Sequence, residues 1–115
     1  MENNKVLITG AGGWLGCELT EQLLKEGKNV RAINNVYTEK LRQIKNEYNS
    51  QLEVVIGDIC NQELMEENLK GIEIVFHLAA KVHTIPKNQM EEDEFFRINA
   101  EASKNLFNNC IKNNI

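Results

Sequence analysis

Four short β-rich apolar runs, each followed by a stretch with helical periodicity, restrict the architectures open to this chain. The runs are Lys5–Thr9 (Lys-Val-Leu-Ile-Thr), Asn29–Ile33, Leu52–Ile56 (Leu-Glu-Val-Val-Ile) and Ile72–Leu78, and uninterrupted apolar character marks strands buried on both faces. Leu15, Leu19 and Leu23 recur every four residues with Leu24 beside them, predicting a helix from about Trp14 to Glu26 with Gly27 as its left-handed cap. A second helix is entered through Thr38 and carries Leu41, Ile44 and Tyr48. A third, capped by Asn61, carries Leu64, Met65 and Leu69 and ends at Gly71. After a loop over 79–88 containing Pro86, a long last helix places Phe95, Ile98, Ala102, Leu106 and Cys110 on one stripe. Its first turns hold Glu91, Glu92, Asp93 and Glu94, and Lys104 and Lys112 lie toward its end, the charge order that a helix dipole favours. Strict strand-helix alternation implies an α/β domain, a parallel sheet with helices on both faces. Right-handed crossovers favour strand order 3-2-1-4, so the winding reverses between strands 1 and 4. One domain over residues 1–115, without repeat or linker, accounts for the chain.

Composition narrows the function. Apolar residues are 42% and charged residues 26%, as in globular rather than disordered chains. A net charge of −4 without any basic stripe argues against a nucleic-acid partner, which needs clustered cations to displace counterions. No apolar run approaches the roughly 20 residues that span a bilayer. The start, Met-Glu-Asn-Asn-Lys, lacks a cationic flank and apolar core of a secretion signal, so the expected setting is cytoplasmic. Cys17, Cys60 and Cys110 share no C-x-x-C spacing and are read as reduced thiols, neither metal ligands nor nucleophiles.

The chemistry lies between the first strand and first helix. Thr9-Gly10-Ala11-Gly12-Gly13-Trp14-Leu15-Gly16 has the spacing G-x-x-G-x-x-G. A phosphate needs amides that it can approach closely, and a helix start offers several unpaired ones with a favourable dipole. Gly10 would make the tight turn, Gly13 would admit a diphosphate, and Gly16 would let the helix pack on the sheet, with Trp14 and Leu15 supplying the amides. This is a Rossmann-type dinucleotide turn; no Gly-Lys-Ser/Thr follows, which excludes a Walker A loop. At the end of strand 2, where an acid would accept from a ribose 2′-OH or an Arg would pair with a 2′-phosphate, stand Asn34 and Asn35. NAD is favoured over NADP, since Arg31 is read as a surface residue. Asp58 after strand 3 and Leu78-Ala79-Ala80 after strand 4 fall at the reversal crevice, where small residues let a ribose or nicotinamide lie flat. Asp58 could equally cap the next helix. His77 is read as packed at a strand end, and His83 has no assignable role.

Together these segments resemble the extended short-chain dehydrogenase/reductase family, in its NAD-dependent epimerase/dehydratase branch. The resemblance rests on Thr9 to Gly16, Gly57-Asp58-Ile59, Val75-Phe76-His77-Leu78-Ala79-Ala80 and the run from Phe96 to Leu106, and spans nearly the whole chain. It implies that Gly10, Gly13, Gly16 and the Trp14 and Leu15 amides meet the diphosphate, Asp58 and Ile59 the adenine, and Leu78 to Ala80 the nicotinamide-side ribose. Asn99 matches a family asparagine that steadies the central strands near the active site. Ala102-Ser103 replaces the family's usual Gly-Thr, and Asn34 its charged residue. The family's Tyr-x-x-x-Lys, in which lysine helps tyrosine act as a base, has no counterpart, because Leu41 and Leu52 lie four residues after Tyr37 and Tyr48. The resemblance therefore implies the cofactor-binding part of an epimerase, dehydratase or reductase, with a nucleotide sugar as the expected substrate class, that stops before a fifth strand and the catalytic segment. Self-association through the open edge of strand 4 is a further expectation. The alternatives are a non-catalytic NAD(P)-binding sensor and, more distantly, a flavodoxin-like module taking a single phosphate.

Overall fold

In the computed structural model, which describes residues 5–81 and 85–115, the apolar runs form β1 (Lys5–Thr9), β2 (Asn29–Asn34), β3 (Leu52–Ile56) and β4 (Ile72–His77). They pair in parallel in the order β3-β2-β1-β4, as alternation and crossover handedness require. Side chains alternate across a strand, so β1 feeds two cores. Val6 and Ile8 join Val30, Ala32, Leu24, Leu41 and Ile44 beneath α1 (Trp14–Lys25) and α2 (Glu39–Glu47). Leu7 points the other way, to Ile33, Met65, Leu69 and Leu106, beneath α3 (Gln62–Asn68) and the C-terminal helical segment.

Local signals set most boundaries. The Thr38 hydroxyl accepts the Leu41 amide at 3.2 Å and Asn61 accepts the Leu64 amide at 3.1 Å, so both residues cap the helices expected of them. Gly27 and Gly71 follow α1 and α3 with φ of 87° and 76°. β2 runs one residue further than expected, to Asn34, and β4 one residue less, to His77. Beyond His77 the backbone leaves the strand, although Leu78 still donates to the Thr9 carbonyl at 3.1 Å.

Two elements differ from the sequence reading. The last helix runs unbroken but is not α throughout: α4 (Gln89–Phe96) passes through one π turn at Arg97–Glu101 into α5 (Ala102–Lys112). A side-chain stripe cannot reveal such a turn, because it depends on what the helix packs against. In α1 the buried positions are Gly16, Cys17, Thr20 and Leu24, whereas Leu15 is exposed and Leu19 and Leu23 lie at the rim. Small residues bring the first turns close to β1, and the leucine stripe is rotated outward.

Candidate functional site

The cleft opens where the winding reverses, outside the carboxyl ends of the strands. Its volume is about 670 Å³, and all eleven residues expected from sequence line it: Gly10, Gly13, Trp14, Leu15, Gly16, Asn34, Asp58, Ile59, Leu78, Ala79 and Ala80. Their contribution comes from four strand ends and the start of α1. Asn35 and Gly57, which stand beside expected residues in the sequence motifs, also line it, and sequence reasoning missed Ile33, Lys81, Glu94 and Ile98.

Its floor is the glycine turn. Gly10 has φ 69°, and a Cβ there would stand 2.7 Å from the Ala79 amide nitrogen, so this position closes the turn against the segment after β4. A Cβ on Gly16 would overlap the Gly10 carbonyl oxygen, which shows that this glycine seats α1 on the turn itself rather than on the sheet. At Gly13 a Cβ would meet only the Gly10 carbonyl oxygen, at 3.6 Å, and would otherwise project into open space. Gly12 was not singled out from sequence, yet a Cβ there would overlap the Asn34 amide. Gly13 occupies the N-cap position of α1, where no side chain caps the first turn and no acid stands in it. The opening amides therefore face the cleft as hydrogen-bond donors at the positive end of the helix dipole.

Polar groups around the floor have defined partners. Asn34 donates through Nδ2 to the Val36 carbonyl at 2.7 Å, which leaves its Oδ1 as acceptor. Arg31 is not the surface residue expected: its side chain is 14% exposed, its Nη1 donates to the carbonyls of Asn68 (2.7 Å) and Lys70 (3.2 Å), and its Nε to Glu53 (3.1 Å). These carbonyls close α3, so Arg31 is consumed in structure. Asp58 does not cap α3, which is the work of Asn61; its Oδ1 accepts the Cys60 amide at 2.9 Å, and its Oδ2 lies 3.9 Å from Arg97. Lys81 pairs with Glu94 at 3.5 Å across the cleft wall. Asn99 grips Lys81 from both sides, donating to its carbonyl at 3.0 Å and accepting its amide at 2.7 Å, so it steadies this segment rather than the strands.

His77 is packed, as expected, but it is also bonded through both ring nitrogens, to Thr9 at 2.7 Å and Ser103 at 2.8 Å. Burial pushes its pKa down. Burial likewise pushes the thiols of Cys17, Cys60 and Cys110 up, which disfavours the nucleophilic thiolate. His83 lies outside the described residues. No helix among the described residues is long and apolar enough to cross a membrane.

A parallel sheet with this order, a glycine turn at the first crossover and a cleft at the reversal define a Rossmann-type domain of the dinucleotide class. The chain belongs to the NAD dependent epimerase/dehydratase family, whose profile matches residues 6–115. Similar proteins include a decarboxylating sterol-4-alpha-carboxylate 3-dehydrogenase of Mus musculus, 31% identical over 107 residues that cover 92% of this chain and 26% of the relative. A UDP-N-acetyl-alpha-D-glucosaminuronate decarboxylase of Bacillus cytotoxicus is 29% identical over 109 residues, 94% of this chain and 33% of the relative. Among solved structures, MoeE5 in complex with UDP-glucuronic acid and NAD superposes with a TM-score of 0.76 at 30% identity, covering 94% of this chain and 33% of that one. The dTDP-glucose 4,6-dehydratase DesIV from Streptomyces venezuelae shares the fold, with a TM-score of 0.82 at 21% identity over 96% of this chain and 37% of that one. The chain thus spans about a quarter to a third of the length of the curated relatives it matches.

Proposed function

We propose that this chain is the NAD-binding portion of an NAD-dependent epimerase, dehydratase or reductase acting on a nucleotide sugar. The observation that carries the reading is the bare start of α1, opening onto a cleft lined by Gly10, Gly13 and Gly16 at the sheet's reversal point. A diphosphate placed there would receive the Trp14 and Leu15 amides without obstruction from a side chain at Gly13. Asp58 and Ile59 would border the adenine, and Leu78, Ala79 and Ala80 the nicotinamide-side ribose. When bound, NAD supplies hydride acceptance; the chain's own residues bind and orient it. MoeE5, the similar structure holding UDP-glucuronic acid and NAD, supports the cofactor and the substrate class.

Arg31 favours NAD over NADP, because carbonyls elsewhere hold the guanidinium that would pair with a 2′-phosphate. Asn34 does not discriminate: its Oδ1 can accept from a ribose hydroxyl, and the second hydrogen on Nδ2 can be donated to a phosphate oxygen. Neither Tyr37 nor Tyr48 lines the cleft, so binding without turnover is expected of these residues alone. Calorimetric titration with NAD, NADP and FMN tests the reading: saturable NAD binding, weaker for NADP, is expected, and binding of FMN alone would overturn it.

The reading also includes a cytoplasmic setting and self-association. Among the described residues no strand pairs with the outer edge of β4, and Ile74 and Phe107, which share a groove along β4, are exposed. Sedimentation should show a concentration-dependent dimer, and a monodisperse monomer at high concentration would count against it.

A further inference from the structure

Thr9 ends β1 fully buried, directly behind the segment that lines the nicotinamide side of the cleft. Its hydroxyl oxygen accepts two amides from that segment, Leu78 at 3.0 Å and Ala79 at 3.1 Å. With both lone pairs engaged, the hydroxyl must send its own proton elsewhere. The acceptor in reach is Nδ1 of His77, at 2.7 Å. Nδ1 is then bare, and the ring proton sits on Nε2, which donates to Ser103 Oγ at 2.8 Å. Ser103 passes its proton on to the Asn99 carbonyl at 3.1 Å, and the Asn99 side chain holds Lys81. The π turn containing Asn99 precedes Ser103, so the relay joins β1, β4 and the last helical segment around residues 78–81.

We infer that His77 is a positioning residue: neutral and protonated on Nε2, it aims the Thr9 hydroxyl so that Leu78 and Ala79 are fixed in the shape that receives the cofactor. The inference goes beyond the NAD reading, on which its functional consequence rests, by assigning the tautomer and the group that sets the shape of the cleft wall. A protonated ring would turn an N–H toward a Thr9 oxygen already occupied by two donors; Leu78, whose amide also reaches the Thr9 carbonyl at 3.1 Å, can fall back on that carbonyl, whereas Ala79 has no second acceptor and would be released. The groups around the ring do not favour its charge. On β1 it meets Thr9; on α5 it meets Ser103 and, edge to face at 5.9 Å, Phe107. Among the described residues, the titratable neighbours along the same groove are Glu73 on β4 and Cys110 on α5, and burial alone accounts for the lowered pKa.

Nitrogen-15 NMR of the imidazole at neutral pH should show Nδ1 bare and Nε2 protonated, with slow amide exchange at Leu78 and Ala79; the opposite tautomer would overturn the inference. NAD affinity should fall about tenfold or more at acid pH, as the ring titrates below its ordinary value of 6.5. His77→Asn keeps an acceptor at the Nδ1 position without a titrating group, so it should bind NAD at neutral pH much as the unaltered protein does and lose the acid decline. His77→Leu, which has no acceptor, should bind weakly at every pH; should it fail to fold, the Asn variant still decides. An Asn variant that keeps the unaltered acid decline would refute the role of His77. Absence of NAD binding at any pH would instead defeat the cofactor reading, while tautomer and amide exchange still judge this one.

Discussion

At the start of α2 the Thr38 hydroxyl receives the Leu41 amide, at α3 Asn61 receives that of Leu64, and at α4 Asn88 receives that of Glu91. Each of these first turns also carries an acid: Glu39, Glu63, and Glu91 with Glu92. The start of α1 has neither; Gly13 stands at its cap and Trp14, 86% exposed, follows. A helix start can satisfy its opening donors with its own side chain or leave them for an external anion, and the first choice obstructs the second. Among the described residues, the helices that open from a loop make the first choice three times and leave the start bare once, at the mouth of the cleft; α5 continues out of the π turn and has no free start. Glycine at a cap costs only about a few tenths of a kcal/mol against Asp or Asn, so the start of α1 can stay bare at the sheet's reversal point with little loss of stability.

Converting α1 into a helix like the others gives the largest expected effect. Gly13 has φ −76° and ψ 176°, a conformation open to any residue, and a side chain there has space. Gly13→Asp should therefore fold, cap α1 and place a carboxylate where the diphosphate would sit. NAD affinity should fall at least about 100-fold, roughly 2.7 kcal/mol, by calorimetry, while the apo protein gains about a few tenths of a kcal/mol in urea unfolding. Undiminished affinity would break the comparison. Gly13→Ala, which obstructs without adding charge, should lose about tenfold and gain no stability.

The opposite change belongs to the capped helices. Asn61→Ala and Asn88→Ala should each cost about 1 kcal/mol of stability with NAD affinity unmoved. If either weakened NAD binding as strongly as Gly13→Ala, helix starts in this chain would not divide into structural and binding kinds.

This division was largely visible in the sequence because caps and glycine turns are local: Thr38, Asn61 and the spacing of Gly10, Gly13 and Gly16 each declare their role within a few residues. All eleven expected lining residues accordingly reach the cleft. What escaped notice depends on contacts far along the chain. Lys81 and Glu94 meet across the wall only because the segment after β4 and α4 are brought together. Arg31 looks like a surface cation until α3 ends beside it with two carbonyls in need of donors. The leucine stripe of α1 marked the buried side only in part: Leu24 enters the core and Leu19 and Leu23 pack at its rim, but Leu15 is exposed, since close seating on the turn favours Gly16, Cys17 and Thr20 over larger side chains. Thr9 read as the last residue of a strand, and nothing nearby in sequence announces that its hydroxyl holds residues 78 and 79.

The smallest effect should lie away from the cleft, where β1 and β3 begin. Lys5 and Arg31 both hydrogen-bond Glu53, at 3.2 and 3.1 Å. Burial opposes ionisation of Glu53, but the bonds from Lys5 and Arg31 outweigh it and hold the carboxyl below its ordinary 4.5. As pH falls, the unfolded chain takes up this proton before the folded one, so the stabilisation is full above 4.5 and is lost as pH drops through the lowered folded value. The Glu53 side chain is 48% exposed, and solvent screening limits the contribution to about 1 kcal/mol or less. Glu53→Gln should remove that increment at neutral pH and shrink its difference from the unaltered protein in acid, as followed by urea unfolding. Because the group stands at the opposite end of the sheet from the bare helix start, NAD affinity should match the unaltered protein at every pH. A change in affinity would mean that the two ends of the sheet are coupled, and that the start of α1 is not the independent binding feature that separates it from the three capped helices.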